Sequence, residues 1–570
     1  MVYDLNMGSI VGKRIGGQTY YYLREVARVD GRPKIVSQRY LGKAADIDAA
    51  VAGATSLPDR TRHLAFGDLA AAWEVIRRLG VVEIIDGLVG TRRSDAAASV
   101  GTYLALAVVN RVVAPCSKLA FADWWQTTAG ERWVRLGPGG LDHRRFWDAM
   151  DALSPETVRA AEWAVTARMV AEFGVDLSGL VLDMTNFATW VDSANTRNSI
   201  AQRGKSKQHR ADLRLVGLGL IVSTDGGVPL VSHPYPGNRP DVTQFVALVG
   251  ELLGRWGELA ANDGADLTIV YDAGQDSATN QALITGSPLH FVGSLPPTDH
   301  PELLAVPTRR YRTVDPDAFP GLTAYDTQVD ALGGTWRAVC THSVELHTKQ
   351  ARGLEQTLAK AQRRLDELGA RLARGKTRRQ RPAVQAEVAR ICADRWVARV
   401  LATTLEGERP AQLRLRWHLD TQARRALEEE LFGKRILFTD RTDWSVAQVV
   451  AAYRSQEAVE ADFRQMKDPK VVSFQPVHHW TDQKVVVHAF YCTLALAVAR
   501  LLRREAARAG LAMSVRELLG RLGGIQETVL LYQGQRGRPR ARRMLTQADP
   551  IQTRLYELFG LDAYAPPTGG

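Results

Sequence analysis

The segment from residue 176 to residue 272 constrains the fold most, because it alternates short apolar stretches with turns and a single helix. Residues 176–187 (DLSGLVLDMTNF) predict one strand, and residues 213–237 predict two more around an Asp-Gly-Gly turn. Residues 241–258 predict a helix, and residues 266–272 (DLTIVYD) predict a further strand. The order strand, hairpin, helix, strand predicts a mixed α/β sheet.

Acidic side chains mark the ends of two of these predicted strands. Asp183 lies near the end of the first strand, and Asp272 is the last residue of the final one. Open sheets place their functional sites at strand ends, so these two acids are candidates for one shared site. Each of them is also compatible with an ordinary turn residue. Another acid of the segment, Asp241, is predicted only to cap the helix that follows it.

The stretch from Ser445 to Lys467 predicts one continuous helix that carries a further acid. Ser445, followed three residues later by Gln448, is the signature of a capping box, and Pro469 follows where the helix should stop. Spacings of three and four residues place a set of polar side chains on a single face, namely Tyr453, Gln456, Glu460, Arg464 and Lys467. An acid flanked by Arg and Lys suits metal-dependent phosphodiester chemistry, and a surface helix with a Glu-to-Arg ion pair is the alternative.

Three acids that are remote in sequence are enough for a magnesium site. Mg²⁺ binds a few carboxylates and keeps several waters, and two such ions about 3.5–4 Å apart share oxygen ligands. Asp183, Asp272 and Glu460 are the candidate ligands. The sequence contains no His/Cys cluster that would indicate zinc.

The charge balance favours a polyanionic partner. The 570 residues are too many for one hydrophobic core and predict three or four domains or insertions. They include 73 Lys and Arg against 62 Asp and Glu, which gives a formal charge of +11. Nucleic acid is favoured over a membrane as the partner, although a GC-rich genome alone would also enrich a chain in arginine.

Cysteine usage and the first residues predict a cytoplasmic protein. Four scattered cysteines without a CxxC pair suit a reducing compartment. The opening residues, MVYDLNMGSIVGKR, do not resemble a signal peptide. The longest uncharged apolar run, residues 485–499, is too short to span a bilayer and predicts a buried helix.

The chain before the predicted sheet has two segments with open interpretations. Residues 17–41 predict a β-hairpin around Asp30-Gly31, whose tyrosines and arginines would either stack on DNA or form the hairpin's own core. Residues 61–173 are predicted to be almost wholly helical, with one helix beginning after Ser154. This block would either carry a helix-turn-helix that reads DNA or serve as scaffold.

Two basic segments later in the chain are equally open. Residues 300–440 predict a β-rich part followed by long helices at 346–405, whose basic connector 375–382 would either rest on a phosphate backbone or be a solvated tip. The tail at 535–543 (QRGRPRARR) has a Gly-Arg-Pro core similar to the minor-groove arm known as an AT-hook. A disordered basic tail is the alternative interpretation.

Five ordered motifs carry a family resemblance. They are LDMTNF, GKSKQHRADLRLVGLGLIVS, GVPLVSHPYPGNRPD, VYDAGQDSATN and the pattern Tyr453-x2-Gln456-x3-Glu460-x6-Lys467. Together they resemble the DDE transposases of bacterial insertion sequences, specifically the superfamily with the Tyr-Arg-Glu-Lys signature. The resemblance covers residues 110–500, and NRVVAPCSKLAFADWW near its start also looks like this family.

The resemblance implies a fold, a metal site and a reaction. The implied fold is a ribonuclease H-like mixed-sheet catalytic core, with a β-rich insertion between the second Asp and the Glu. That insertion coincides with the interruption predicted at 300–440. Asp183, Asp272 and Glu460 would be the catalytic, metal-binding triad for two Mg²⁺ ions, which Mn²⁺ can replace.

The predicted α/β architecture has six parts in chain order. They are an N-terminal β-rich segment (1–60), a helical block that is a candidate DNA-binding domain (61–175), the first part of the ribonuclease H-like core (176–300), an insertion that is β-rich and then helical (301–440), the second part of the core with the Glu-bearing helix (441–510) and a basic C-terminal tail (511–570).

DNA contacts are predicted on the helix that carries the third acid. Where the family has Arg, this chain has Gln456, which can hydrogen-bond a phosphate but brings no charge. Arg464 or Lys467 is predicted to supply the missing charge, and Tyr453 and Lys467 to contact the backbone of the transposon end. Glu457 is a rival third ligand, but it lacks a Lys seven residues later and lies about 60° away round the helix.

Further DNA contacts are predicted in the basic loop that follows the first acid. Lys205, Lys207 and Arg210 would contact phosphates, which gives affinity and salt dependence rather than sequence reading. A solvated loop is the alternative.

The predicted function is a DNA transposase that binds the inverted-repeat ends of its insertion sequence. It would cleave the strand ends by two-metal hydrolysis and join the 3′-hydroxyls to target DNA. Because two ends must be held together, a homodimer or larger synaptic assembly on double-stranded DNA is expected, in the bacterial cytoplasm at the nucleoid. One alternative is a metal-dependent endonuclease without strand transfer. The other is a catalytically inactive DNA-binding relative, and the three intact acids argue against this second alternative.

Overall fold

The computed structural model is organised around a nine-stranded mixed sheet. The described part of the chain also contains two three-stranded sheets and one two-stranded hairpin. The described residues are 7–29, 32–55, 57–90, 96–208, 210, 212–260, 266–376, 378–532 and 540–567.

The N-terminal segment is a three-stranded antiparallel sheet followed by one helix. Its elements are β1 (Met7–Ile15), β2 (Gln18–Val29), β3 (Arg32–Gly42) and α1 (Ala44–Thr55). The predicted hairpin is therefore enlarged by β1, which pairs with residues 18–26 of β2. The predicted turn Asp30-Gly31 lies outside the described residues.

The tyrosines of this sheet alternate between its two faces. Tyr20 and Tyr22 share a face because strand side chains alternate, and the ring of Tyr22 lies 5.3 Å from that of Tyr40 on β3. Lys13 lies over the Tyr22 ring at 5.4 Å, and Lys43 over the Tyr20 ring at 5.8 Å. The face therefore combines aromatic rings with positive charge, which is compatible with the predicted stacking on DNA.

The helical block is present as predicted, with one strand added. Its elements are β4 (Arg60–Ala65), α2 (Gly67–Arg78), α3 (Val81–Val89), α4 (Val100–Val113), α5 (Phe121–Trp125), α6 (His143–Asp151) and α7 (Pro155–Phe173). Ser154 caps α7 by accepting from the backbone N–H of Thr157, as the sequence predicts.

The central sheet begins after α7. Its elements up to the insertion are β5 (Gly179–Thr189), β6 (Arg214–Ser223), β7 (Pro229–Pro236), α8 (Phe245–Ala260), β8 (Thr268–Val270), α9 (Ala278–Thr285), β9 (His290–Leu295), α10 (Pro301–Leu304), β10 (Arg312–Thr313), β11 (Leu322–Ala331) and β12 (Gly334–Ser343).

A mostly helical body follows and then the chain returns to the sheet. The elements are α11 (Val344–Ala373), α12 (Arg381–Ile391), α13 (Arg395–Val400), β13 (Leu401–Glu406), β14 (Arg414–Leu419), α14 (Thr421–Leu431) and β15 (Lys434–Thr439). The body has its own hydrophobic core, which includes Leu354, Leu365, Val384 and Phe432.

The last part of the chain is helical and ends in a small sheet. Its elements are α15 (Val446–Arg454), α16 (Gln456–Met466), α17 (Asp482–Arg508), α18 (Val515–Gly523), β16 (Gln526–Tyr532), β17 (Arg540–Leu545) and α19 (Pro550–Leu558). Among the described helices, α17 alone is long and apolar enough to cross a membrane by length and composition, and 94% of its most apolar window is buried within the protein.

The strand order of the central sheet is β10-β11-β12-β15-β9-β8-β5-β6-β7. β5 pairs antiparallel with β6, and β6 antiparallel with β7, whereas β5, β8 and β9 run parallel to one another. The other four strands extend the sheet from β9 in antiparallel fashion. This mixed sheet is compatible with a ribonuclease H-like α/β core.

Three predicted boundaries differ from the structure. The β-rich part of the predicted insertion is not a separate unit, because β10–β12 and β15 belong to the central sheet. Residues 401–405, predicted to be helical, belong to β13 because they pair with β14. The predicted disordered tail is wrong for its described residues, since β17 pairs with β16, and β16 pairs with β4. The AT-hook-like core at 537–539 lies outside the described residues.

A buried ion pair holds α16 against α17. The Arg500 Nε donates to the carboxylate of Asp462, which is fully buried on α16. We expect Asp462→Ala to lower the free energy of unfolding by about 3–5 kcal/mol, because the Arg500 guanidinium would stay buried without its carboxylate. Denaturant unfolding followed by circular dichroism measures the change.

The control Glu557→Ala, which removes an exposed acid from α19, should stay within about 0.5 kcal/mol of wild type. Equal losses in the two variants would contradict the role given to the ion pair.

Candidate active site

Asp183 lies in β5, and Asp272 lies two residues beyond the end of the neighbouring parallel strand β8. β5 and β8 pair with Val181 opposite Val270, and continuing this register by two residues would bring Asp183 opposite Asp272. The charge of Asp272 acts on the Asp183 carboxyl, which shows that the two acids are close. Asp272 keeps extended backbone dihedrals, with φ −93° and ψ 162°. Asp183 is not near the end of its strand, as predicted, but in the middle of β5, opposite Leu220 of β6.

The Asp183 carboxylate is in a negatively charged, partly buried environment. Its pKa is raised to about 6, first by burial and then by the charges of Asp272 and Asp241. The backbone N–H of Met184, 2.7 Å from Oδ1, and the charge of Lys207 act in the opposite direction. Burial is therefore the main cause of the raised pKa of Asp183, and the charge of Lys207 opposes the repulsion from the two other acids.

Hydrogen bonds fix the Asp272 carboxylate from one side. The Ser294 hydroxyl donates to Oδ1 at 3.1 Å, and the Tyr453 hydroxyl lies 3.2 Å from the same oxygen. An Arg435 guanidinium nitrogen donates to the Tyr453 hydroxyl at 3.0 Å. Tyr453 is buried, so it supports Asp272 from within the protein, whereas the sequence predicts that it contacts the DNA backbone.

The continuous helix predicted over 445–467 is two helices. The predicted capping box is confirmed, because Ser445 and Gln448 cap each other at the start of α15. The chain then breaks at Ser455, whose hydroxyl donates to the carbonyl of Ala452 at 2.5 Å. Local bonds of this kind compete with the helical hydrogen-bond ladder, and α16 starts anew at Gln456.

Glu460 lines a cleft that is linked to Asp272 through Tyr453 but that neither aspartate lines. The cleft has a volume of about 370 Å³ and lies between α15, α16, β15 and the first turns of α11. Glu457 lines the same cleft, as do Tyr453 and Arg435, so the rivalry between Glu457 and Glu460 stays open. Across the described residues, no three His, Cys, Asp or Glu side chains are grouped closely enough to hold a metal ion, so the structure brings together only the aspartates.

The two helices are tied to both aspartates. Tyr453 of α15 contacts Asp272, and the Lys467 ammonium, at the end of α16, donates to the Thr185 hydroxyl at 2.9 Å. The pKa of Lys467 is lowered by burial and by the charge of Lys207, while Asp183 raises it. The segment that carries Glu460 is therefore anchored at either end of the aspartate pair.

The basic loop after β5 contributes one lysine to the site. The Lys207 ammonium donates to the Met184 carbonyl at 2.6 Å and to Asp241 at 2.9 Å, which places it next to β5. Asp241 does not cap the helix that follows, because α8 begins only at Phe245. Its other carboxylate oxygen accepts from the Tyr235 hydroxyl at 2.7 Å.

The other predicted DNA contacts lie at the surface. Lys205 is exposed and forms no ion pair with a described residue. Arg210 pairs with Asp212 at 2.7 Å and lies over the Trp190 ring at 5.4 Å. Arg464 is exposed on α16 and approaches only the carbonyl of the residue one turn earlier.

Gln456 lies where the family has Arg, and it is partly buried. Its amide nitrogen is enclosed and donates to no described residue. The residue lines the same cleft as Glu460. Of the residues predicted to contact phosphates here, only Lys467 lies beside Asp183. That Arg464 or Lys467 supplies the positive charge missing at Gln456 remains a prediction.

Sequence reasoning missed one acid near the site. Burial raises the pKa of Asp276 to about 8, and the charges of Asp272 and Asp299 add to the shift. Neither of its carboxylate oxygens accepts a hydrogen bond from a described residue. Asp276 could have been identified from the sequence, because it lies four positions after Asp272 in the same YDAGQD motif.

The donor set of the site fits magnesium. Asp183 and Asp272 offer carboxylate oxygens, which are the ligands that Mg²⁺ prefers. A cation bound next to Asp183 would offset the burial and the charge of Asp272, which both raise the pKa of this carboxyl. Glu460 is exposed and forms no side-chain hydrogen bond with a described residue, so nothing described holds its side chain away from the pair.

Comparisons with known proteins identify no family. No family model matches the chain, and no curated protein does so. One similar solved structure is the cryo-EM structure of the piggyBac transposase synaptic complex with hairpin DNA. It shares 10% sequence identity over 82% of each chain, with a TM-score of 0.36. The function therefore has to be inferred from the residues of the site.

Proposed function

We propose that the protein is a DNA transposase of the DDE type, which cleaves the ends of its insertion sequence and joins them to target DNA. The observation that carries this proposal is the closeness of Asp183, in the middle of β5, to Asp272, just beyond the end of the parallel neighbour β8. The helix α16, which carries Glu460, packs against β5, and Lys467 just after it donates to Thr185 of β5. The same residues occupy the ordered motifs that resemble DDE transposases.

The proposed cofactor is a pair of Mg²⁺ ions, for which Mn²⁺ can substitute. Asp183, Asp272 and Glu460 would hold them. Two bound ions supply activation of the attacking water or 3′-hydroxyl and stabilisation of the leaving oxygen. The Glu460 side chain is exposed and forms no hydrogen bond with a described residue, so it would be free to turn towards the aspartates.

The remaining residues of the site orient the acids and bind DNA. The Tyr453 hydroxyl, held by Arg435, fixes the Asp272 carboxylate. Lys467 and Lys207 bring positive charge next to Asp183, where they would neutralise a phosphodiester that approaches the acids. Their contacts with Thr185 and Met184 hold both ammonium groups in place before DNA arrives.

Metal-dependent cleavage tests the proposal directly. Purified protein is incubated with a duplex that carries the inverted repeats flanking its own gene, with Mg²⁺ or with EDTA. We expect strand cleavage at the repeat ends only when the divalent ion is present, and recovery when Mn²⁺ replaces Mg²⁺. Cleavage that persists in EDTA, or no cleavage with either ion, would contradict the proposal.

Strand transfer separates the transposase from a nuclease on the same core. The substrate is a repeat end that has already been cut and carries a free 3′-hydroxyl, together with a target plasmid. A transposase yields plasmid joined to the labelled end, whereas a nuclease without strand transfer yields only nicked plasmid. A protein that binds the ends but forms neither product would be the inactive relative.

The basic loop should contribute to affinity through charge alone. We expect Lys205→Ala to make the slope of log K against log salt shallower by about one unit, because one phosphate contact is lost. Fluorescence anisotropy with a labelled duplex at several salt concentrations measures the slope. Lys360→Ala, which removes an exposed lysine from α11, is the matched control and should leave the slope unchanged.

The proposed partners and location follow from the reaction. Two transposon ends have to be cut and joined together, so we expect a homodimer bound to double-stranded DNA. The four cysteines are free in the structure, which suits the reducing cytoplasm. No membrane partner is proposed, because the apolar helix α17 is buried inside the protein.

A further inference from the structure

Lys207 is held beside the Asp183 carboxylate by the strand that carries this acid. Asn186 of β5 donates from its amide nitrogen to the Lys205 carbonyl at 3.0 Å, and its amide oxygen accepts from the Lys207 backbone N–H at 3.1 Å. Asn186 is 8% exposed, so this clamp on the loop lies inside the protein. The position of Lys207 along β5 is therefore set by the strand itself.

The Lys207 ammonium pairs with Asp241 and not with Asp183. It donates to the Asp241 carboxylate at 2.9 Å and to the Met184 carbonyl at 2.6 Å. Among the ion pairs of the described residues, Lys207 has one with Asp241 and none with Asp183, although its charge acts on the Asp183 carboxyl. The ammonium is thus close enough to influence Asp183 but is bound elsewhere.

Tyr235 fixes the carboxylate at the other end of this ion pair. Its hydroxyl donates to the second oxygen of Asp241 at 2.7 Å, and the residue is only 2% exposed. Both Asp241 oxygens therefore have a side-chain partner. The carboxylate cannot turn away from Lys207 without losing a charge-assisted hydrogen bond.

The sheet makes room for the Tyr235 ring at Gly217. This glycine of β6 pairs with Tyr235 of β7 on one side and with Asn186 of β5 on the other. A Cβ atom at Gly217 would lie 2.2 Å from the Tyr235 ring, so any other residue there would displace the ring. The ring therefore lies across β6, and its hydroxyl comes within 3.5 Å of the Thr185 carbonyl of β5.

The position of Lys207 matters because an ammonium and a divalent ion compete for the same carboxylate. An ammonium paired directly with Asp183 would lower the affinity of this carboxylate for another cation. Asp241 gives Lys207 a different partner, and its own negative charge also acts on Asp183. Both effects favour a divalent ion at Asp183, while positive charge for a DNA phosphate stays nearby.

We propose that Asp241 is a positioning residue, which together with Tyr235 holds Lys207 off the Asp183 carboxylate and so keeps that carboxylate available to a divalent ion. This inference rests on the proposed function, because it takes Asp183 as a metal ligand. Asp241 acts through Lys207 and does not bind the ion itself, since both of its oxygens already have partners.

Metal affinity tests this role without any cleavage assay. The full-length protein is titrated with Mn²⁺ in the absence of DNA, and the electron paramagnetic resonance signal of the free ion is recorded. We expect Asp241→Asn to weaken Mn²⁺ binding at least about tenfold, because Lys207 then turns to Asp183 and one negative charge is lost. Tyr235→Phe, which changes no charge, should weaken it about threefold by loosening Asp241. Asp241→Glu, which keeps the carboxylate, should stay within about threefold of wild type.

A second substitution at Lys207 distinguishes positioning from direct binding of the ion. Lys207→Met should bind Mn²⁺ at least as tightly as wild type. Asp241→Asn combined with Lys207→Met should return to within about threefold of wild type, because the competing ammonium is gone. If the double variant stays as weak as Asp241→Asn, Asp241 either binds the ion or only supports the fold, and the inference is wrong. Unchanged affinity in Asp241→Asn would also overturn it.

Two control variants separate this inference from the proposed function. Asp183→Asn should abolish the Mn²⁺ site. If it does not, or if wild type binds no Mn²⁺, the proposed metal site itself fails, whereas the outcomes at Asp241 leave the transposase proposal intact. Asp317→Asn, which neutralises an exposed acid elsewhere, should leave the affinity unchanged. Circular dichroism melting of each variant shows whether a loss of binding reflects misfolding.

Discussion

Asp183→Asn should reduce metal-dependent DNA cleavage by about 10³-fold or more. Asparagine keeps the shape of the side chain but removes the negative charge that would hold a divalent ion, and metal catalysis is worth several kcal/mol, of which about 4 kcal/mol corresponds to 10³-fold. The fold should survive, because the side chain is partly exposed and its neighbours in the sheet are unchanged. Initial cleavage rates on a labelled repeat end measure the loss.

DNA binding is the internal control of that experiment. The variant should bind the duplex at least as tightly as wild type, because one negative charge has been removed from the DNA path. Asp562→Asn, which neutralises an exposed acid near the end of the chain, should cleave at the wild-type rate. Unchanged cleavage in Asp183→Asn would remove this residue from the active site.

Glu460→Gln should lower cleavage by about 10²–10³-fold, whereas Glu457→Gln should change it by less than about threefold. Both acids line the same cleft on α16, so the pair forms a matched comparison of two exposed glutamates within one turn. Only Glu460 lies in the middle of the segment that Tyr453 and Lys467 anchor to the two strands. Cleavage rates at saturating protein measure both effects.

The reverse pattern would identify Glu457 as the third ligand. Loss of cleavage in Glu457→Gln with normal cleavage in Glu460→Gln would break the match to the family signature and keep the metal site. Normal cleavage in both variants would instead show that the site works with the two aspartates alone, or with Asp276, whose carboxylate oxygens accept no described hydrogen bond.

The sheet was largely predictable because its strands are apolar and its turns carry Gly and Asp. The hairpin of β6 and β7 and the strands β5 and β8 all follow from local pattern. The register was not predictable, because it depends on pairing between segments about ninety residues apart. Only the strand pairing shows that Asp183 is in mid-strand and that Asp272, beyond the end of β8, lies close to it.

The site was predictable in its acids and less so in their supports. Asp183, Asp272 and Glu460 stood out by position and by motif. Ser294 and Arg435 did not, because each touches the site only through tertiary contact with Asp272 or with Tyr453. The break at Ser455 was not predictable either. The helical periodicity of the sequence continues through this position, but the Ser455 hydroxyl donates to the Ala452 carbonyl and the helix is interrupted there.

The extra strands beyond β9 and the folded tail were missed for the same reason. β15 is short and pairs with strands that precede it by about a hundred residues or more, so no local signal links it to the core. The basic residues of β17 suggested a solvated tail, yet Arg543 forms an ion pair with the buried Glu527 of β16. Composition reports charge and does not report whether that charge has a partner.

The inserted helical body leaves and re-enters the sheet at a single point. The backbone N–H of Ser343, the last residue of β12, donates to the carbonyl of Gly433, just before β15, at 2.8 Å. The two attachment points are therefore as close as the ends of a tight hairpin. Evolution could graft, lengthen or delete everything between them without disturbing the pairing of β12 with β15, so accessory functions of this protein can diversify there while its chemistry stays fixed.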